Sequence, residues 1–421
     1  MARPHTQQRS PGLAAVASAR RLDESQEVWI MRFGKAWVVG GAAAALGAAA
    51  MPMLSVAAPN THIVRIGLEA PLTGSQSSIG IGMLRGAVLA ADQINAHGGV
   101  IGPNGKPGYL IKIVKIDDAA NPATGVAAAK RAISAGLNGV VGPYNSGVGE
   151  KTLPLYLKAG LVPFRLTSAN ATSRLGITLQ PMTYQIAPVA SLALTKWLKA
   201  KSVAVIYDST ASYTTAEAEA VMVRLRESGV RITGYRIVPG LDNYTAAVTR
   251  AAAAKPSAIY SVVYYPEAGV IAREVVAKHV AAACLEDYSA YDQGYVGAAG
   301  TTAARHCPVV GVPGPTVFPG SAAVVGQYER AYHAAPGTWA PYTYDSVKLF
   351  AWGVQRTGTY KQAALLKTLS HVVGYRGWTG SITISPKTYD RTPATVVIDA
   401  VTARGQFVID VPWARAVGYT G

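Results

Sequence analysis

Beyond residue 60 the apolar positions fall into alternating runs and helix-spaced runs, one after the other. His62–Glu69 (HIVRIGLE) alternates and predicts a strand. Gly82–Ala96 carries Leu84, Ala87, Val88, Ala91 and Ile94 at helical spacing and stops at His97-Gly98-Gly99. Tyr109–Ile116 predicts a second strand. Asn121-Pro122 opens a helix that runs to Ala135 and ends at Gly136, because Asn accepts from free backbone N–H groups and Pro suits the first helical position. Gly139–Val141 predicts a short buried strand, Ser146–Ala159 a helix, and Val162–Leu166 a strand.

The order then recurs. Ala190–Lys201, Thr215–Ser228, Tyr244–Ala254 and Glu267–Val280 have helical spacing, and Ser202–Tyr207, Arg231–Val238 and Ala258–Tyr264 read as the strands between them. Ser321–His333 and Tyr342–Arg356 are helical in pattern, whereas Gly380–Ile384, Ala394–Ala400 and Gln406–Ile409 read as short strands. Two successive βαβαβ runs predict an α/β protein of two doubly wound parallel-sheet lobes. Ligands of such sheets bind beyond the carboxyl ends of the strands, so function is to be sought in the loops there.

Length agrees with two lobes, since 421 residues exceed what one ordinary core holds. Half the chain is apolar and 15% is charged, which excludes a disordered chain. The one long apolar stretch lies near the start. Met31–Lys35 is a short positive region, Ala36–Val56 holds no charge but Pro52 sits late in it, and Val56-Ala57-Ala58 offers small residues at a cleavage position. That plan predicts a secretory signal ending near Ala58; a membrane anchor is the alternative, since the stretch reaches ~20 residues. Residues 1–30 are polar and do not belong to such a signal, which makes Met31 a candidate start; Arg20-Arg21 is only a weak twin-arginine candidate. No Cys stands at the cleavage position, so no lipid anchor is expected.

Export alters the reading of the two cysteines and of the charge. Cys284 and Cys307 would pair in an oxidising compartment, closing a loop worth ~3 kcal/mol, or else remain as buried thiols. Net charge is +16, and beyond residue 58 there are 33 basic against 20 acidic residues. The basic residues stand singly, as Lys196, Lys199, Lys201 and Arg224, Arg226, Arg231, without a block of five. A solvated basic surface is expected, not a nucleic-acid binder.

Catalytic and cofactor patterns are lacking. Gly80-Ile-Gly82-Met-Leu-Arg-Gly86 has the wrong spacing for a dinucleotide loop and lies too far past its strand. There is no nucleophile elbow, phosphate-binding loop or HExxH. His62, His97, His279, His306, His333 and His371 never pair at ligand spacing, so neither a metal nor a cofactor is expected. Asp117-Asp118 follows a strand and is read as bonding the next loop; Glu286-Asp287 is the other acidic pair. What remains are loops suited to holding. Gly142-Pro-Tyr-Asn-Ser146 leads into a helix whose N-terminus can take a carboxylate, with Ser146 as an added donor or merely as the cap. Thr167-Ser168-Ala169-Asn170 follows the next strand on the same edge, either facing the same ligand or forming an ordinary Asn turn.

These loops carry a resemblance. The chain is similar to the type I periplasmic solute-binding proteins of ABC importers, branched-chain amino acid family, over about residues 62–400. The likeness is densest in IGLEAPLTGSQSSIG, GAVLAADQINAHGGVIG, GVVGPYNSG, VAVIYDSTASYTTA and SAIYSVVYYPEAG. It implies lobes at 59–188 with 315–376 and at 189–314 with 377–421, joined by a multi-crossover hinge. It implies that Ser146 binds an α-carboxylate, that Ser168 and Asn170 meet carboxylate and ammonium, and that Tyr213 and Tyr264 close over the ligand. Asp287, or else Glu286, would face the ammonium. Asn170 stands where the family has Thr, and Ile79 where an aromatic is common, which puts the ligand's identity in doubt. The implied partners are a small solute and an importer permease, and the implied place is the periplasm, without membrane anchor, as a monomer or weak dimer. Amides, urea and aromatic acids are alternative solutes. A sensory module handing its signal to a receptor is the alternative role; a non-enzymatic binder is expected in either case.

Overall fold

The computed structural model describes residues 62–240 and 243–420. The sequence-predicted export signal lies outside the described residues. Five parallel strands form a first sheet: β1 (Ile63–Ala70), β2 (Leu110–Asp117), β3 (Gly139–Val141), β4 (Pro163–Arg165) and β5 (Ile177–Thr178), in the order β2-β1-β3-β4-β5. A second sheet begins with β6 (Ser202–Asp208), β7 (Arg231–Ile237), β8 (Ala258–Val262), β9 (Ala283–Glu286) and β10 (Val309–Gly311), also parallel. A hairpin of β11 (Tyr375–Gly377) and β12 (Gly380–Ile382) stands apart, and β13 (Val397–Val401) and β14 (Phe407–Ile409) extend the second sheet antiparallel beyond β10. The two-lobed doubly wound architecture expected from the sequence is therefore present.

Local chemistry explains the helix starts. Asn121 accepts from Ala123 N (2.9 Å) and Thr124 N (3.1 Å), and Pro122 opens the helix Pro122–Ser134 as expected. The helix Ser77–Ala96 starts five residues earlier than its apolar spacing implied. It packs on the helix Ala340–Thr357 so closely that a Cβ at Gly86 would lie 2.1 Å from the Ala340 carbonyl oxygen. The helix Thr183–Leu192 also begins early, and Ala193–Trp197 forms one π-helical turn after it. The helix Thr183–Leu192 continues across Pro188, and packing against the helix Ser212–Glu227 holds it helical there.

The chain passes between the sheets three times. It leaves the first after β5, returns after β10 to the helix Ala340–Thr357, and comes back at β13. The last pass is tied down on the first sheet. Asp390 forms a fully buried ion pair with Arg165 of β4, and its backbone bridges Thr178 of β5. The β11–β12 hairpin is anchored beside it by Asp345, which accepts from Trp378 N (2.6 Å), Thr379 N (2.8 Å) and Thr379 Oγ1 (2.7 Å).

Cys284 of β9 and Cys307, two residues before β10, form a disulfide with 4.7 Å between Cα atoms. The acidic pair Asp117-Asp118 does bond the loops around it. Asp117 accepts from Leu72 N, Ala119 N and the Thr73 hydroxyl, which hold its carboxyl below the usual range against the opposing effect of burial. Asp118 accepts from Ala120 N (2.8 Å) beside the buried Glu69, and burial pushes it up to about 7.

Candidate functional site

The carboxyl ends of the two sheets face each other across a small enclosed cavity. It is lined by Tyr144, Ser146, Leu166, Ser168 and Gln180 from one lobe and by Tyr213, Tyr264, Tyr288 and Ser289 from the other. The space left is about 10 Å3, room for about one water, so a solute enters only if the lobes part. Larger open grooves exist, such as one of about 760 Å3 beside the edge strand β7, but that one holds none of the loops past the strand ends.

Ser146 reaches the cavity because of a turn only glycine can make. β3 ends at Val141; Gly142 has φ of 100°, and a Cβ there would lie 1.9 Å from the Glu69 carbonyl oxygen. The chain then turns through Tyr144 and Asn145 into the helix Ser146–Lys158. The Ser146 hydroxyl accepts from Ser168 N (3.2 Å) and Ala169 N (3.1 Å). Both acceptor positions are thereby filled, and its proton remains to be donated. Asn145, not Ser146, occupies the cap position, without a side-chain capping bond.

Ser168 lines the cavity but has little left to give. Its N–H goes to Ser146, while its hydroxyl donates to the Pro181 carbonyl (2.8 Å) and accepts from Gln180 (2.9 Å). Asn170 does not reach the cavity. It lies exposed in a short 3-10 turn, and its Oδ1 accepts from Tyr184 N at the start of the helix Thr183–Leu192. The early start of that helix gives Asn170 a free N–H to satisfy, which turns it outward. Ile79 is buried in the core and is not among the lining residues.

On the second lobe, Tyr213 sits in the first turn of the helix Ser212–Glu227 and Tyr264 follows β8. With three neighbours they make a closed ring of five aromatic side chains. Centroids are 6.2 Å apart for Tyr144–Tyr264, 6.3 Å for Tyr264–Tyr213, 6.4 Å for Tyr213–Tyr288, and 5.4 Å for both Tyr288–Trp339 and Trp339–Tyr144. The hydroxyls of Tyr213 and Tyr288 and the indole Nε1 of Trp339 are buried without a protein partner.

Asp287 stands behind this wall. It is fully buried, accepts from the Tyr260 hydroxyl (2.5 Å), Ser289 N (2.9 Å) and Ser289 Oγ (3.0 Å), and does not line the cavity. Burial raises its carboxyl, and burial together with the charge of Asp287 raises that of neighbouring Glu217 well above the usual range. Glu286 is buried in β9. Thus Ser146, Ser168, Tyr213 and Tyr264 come together, while Asn170 and Asp287 do not join them. Tyr144, Gln180, Tyr288, Ser289 and Trp339 were not anticipated; Tyr144 and Ser289 could have been, as polar or aromatic residues just past strand ends.

No charged side chain lines the cavity, among the described residues no helix is long and apolar enough to cross a membrane, and both lobes contribute walls. These features define a protein that encloses a small solute between two lobes. The family model described as periplasmic binding protein matches residues 63–399, and the chain belongs to that family, whose members bind solutes outside the cytoplasm. A Leu/Ile/Val-binding protein of Rhizobium johnstonii is 33% identical over 226 residues, 52% of this chain but only 59% of that protein. An amino acid binding protein of Pseudomonas aeruginosa is 31% identical over 79% of this chain and 91% of its own length. The fold is shared with leucine binding protein LivK of Thermotoga maritima (TM-score 0.75, 19% identity, covering 83% of this chain and 98% of that one). It is shared too with a solute binding protein of an ABC transporter from Rhodopseudomonas palustris solved with 3,4-dihydroxybenzoic acid (TM-score 0.70, 19% identity, covering 82% and 95%).

Proposed function

We propose that this chain is the extracytoplasmic solute-binding component of an ABC importer, and that its solute is a small carboxylate, first of all an amino acid with an apolar side chain. The observation that best supports this is the Ser146 hydroxyl. Two backbone N–H groups occupy its acceptor positions, so it can only donate into the cavity, at the positive end of a helix. A carboxylate suits that position, and an apolar side chain suits the ring of Tyr144, Tyr213, Tyr264, Tyr288 and Trp339. Asp287 would favour an ammonium from behind the tyrosines, without touching it. A solute held by both lobes stabilises the closed hinge, which is how a permease partner would sense loading.

We draw the lobes as 59–188 with 315–391 and 189–314 with 392–421, because Asp390 is paired with Arg165. An export signal ending near Ala58 would deliver the protein to the periplasm, to act as a monomer or weak dimer. A second reading, an aromatic acid, draws support from four aromatic lining residues, Tyr144, Tyr213, Tyr264 and Tyr288, and from the lack of a lining charge. Thermal melting of the protein from residue 59 onward with leucine, isoleucine, valine, benzoate and 4-hydroxybenzoate separates them, since a bound solute raises the midpoint by mass action. A rise with the amino acids alone supports the first reading, and a rise with the ring acids alone the second. No rise with any of them overturns both.

A further inference from the structure

Gln180 follows β5 and is 1% exposed in the wall of the cavity. Its Nε2 donates to the Leu166 carbonyl and to Ser168 Oγ. A carbonyl can only accept, so the amide is fixed in one orientation: the NH2 faces Leu166, and Oε1 is the end left over. That oxygen is buried and has no partner in the protein. An amide oxygen buried without a partner is unfavourable, and a solute donor would relieve this.

Hydrogen bonds tie the Gln180 amide to the carboxylate donor through one residue, on the same cavity wall. Gln180 bonds the Ser168 hydroxyl, and Ser168 N bonds the Ser146 hydroxyl, so Gln180 and Ser146 are one residue apart in a continuous chain. The other candidates on this wall are spent or turned away. The Ser168 hydroxyl donates to Pro181, and Asn170 caps a helix at the surface.

We propose that Gln180 is the specificity residue that accepts a hydrogen bond from a donor next to the solute's carboxylate, the ammonium of an α-amino acid or, in a ring acid, a hydroxyl. This rests on the reading of the cavity as the solute site. Its consequence is selection: solutes that pair a carboxylate with a donor are bound, and those with a carboxylate alone leave Oε1 buried and unpaired.

The test compares two solutes differing only in the donor, by calorimetric titration of the unmodified protein and its variants. The pair is leucine and 4-methylpentanoate, or 2-hydroxybenzoate and benzoate if the unmodified protein takes ring acids. Gln180→Met is expected to weaken the donor-bearing member about tenfold and to leave the other within about threefold. Binding of the donor-free member also shows that the variant is folded. Gln180→Glu, with the same reach and a stronger acceptor, is expected to raise the preference for the amine-bearing solute over its deaminated analogue. The proposal is overturned if Gln180→Met weakens both members alike, as a purely structural role would, or if neither variant changes the preference. Should the unmodified protein bind no member of either pair, it is the solute-site reading that fails.

Discussion

The Ser78 hydroxyl lies 2.6 Å from that of Tyr265, joining the first turn of the helix Ser77–Ala96 on one lobe to the loop after β8 on the other. Ser78 also donates to Asp292 Oδ1 (3.2 Å), and on another part of the cleft Ser212 donates to Glu150. These bonds exist only while the lobes are together. Tyr265→Phe removes one of them at the rim without touching the cavity wall. A bond of this kind contributes about 0.5–1.5 kcal/mol, so solute binding is expected to weaken about two- to tenfold. Calorimetric titration measures this; an unchanged Kd would show that the bond plays no part in closure.

The pair Glu69 and Asp118 predicts how stability varies with pH. Burial pushes Asp118 up to about 7, against an ordinary value of 3.8, and Glu69 beside it is also raised. The folded protein therefore holds a proton here that the unfolded chain has released. Stability from this site is present at low pH and is lost as pH rises through about 7. The melting temperature is expected to fall from about pH 4 to about pH 7, between the ordinary and the raised value. Asp118→Asn, which cannot ionise, is expected to flatten that fall and to be more stable than the parent at pH 8, by at least about 1 kcal/mol. An equal slope in the two proteins rules the assignment out.

Arg165 and Asp390 are both fully buried, and the pair connects β4 to the last pass between the sheets. Removing either partner leaves a charge in the interior. Asp390→Ala is expected to cost about 3–5 kcal/mol in urea denaturation, and replacing both residues, as Arg165→Met with Asp390→Leu, to recover much of it. A loss below 1 kcal/mol in the single variant contradicts the assignment of a buried, charged pair.

The strand and helix pattern was legible because the strands carry apolar or alternating runs and the helices after them stop at a glycine or a left-handed residue, as at Gly136, Gly160 and Gly229. The short strands β9 and β10 were not read from the sequence, although β3, comparably short and buried, was. Site residues followed the same division. Ser146 lies where sheet topology puts ligands, so position alone suggested it; Tyr213 and Tyr264 came from the resemblance. Asn170, which the resemblance implied, turns outward because its side chain satisfies the start of the helix Thr183–Leu192, a start that the helical spacing from Ala190 did not show. Gln180 and Trp339 come from connections between the sheets, whose aim is fixed by packing of the two lobes and by nothing local.

The ring of five aromatic residues has an optical consequence. Tyr144 and Trp339 belong to one lobe and Tyr213, Tyr264 and Tyr288 to the other, so two of its five links span the cleft. Separation of the lobes would break both and bring water to an indole that is 1% exposed. The emission of Trp339 is thus a gauge of lobe separation already installed in the chain, with no dye needed to read it.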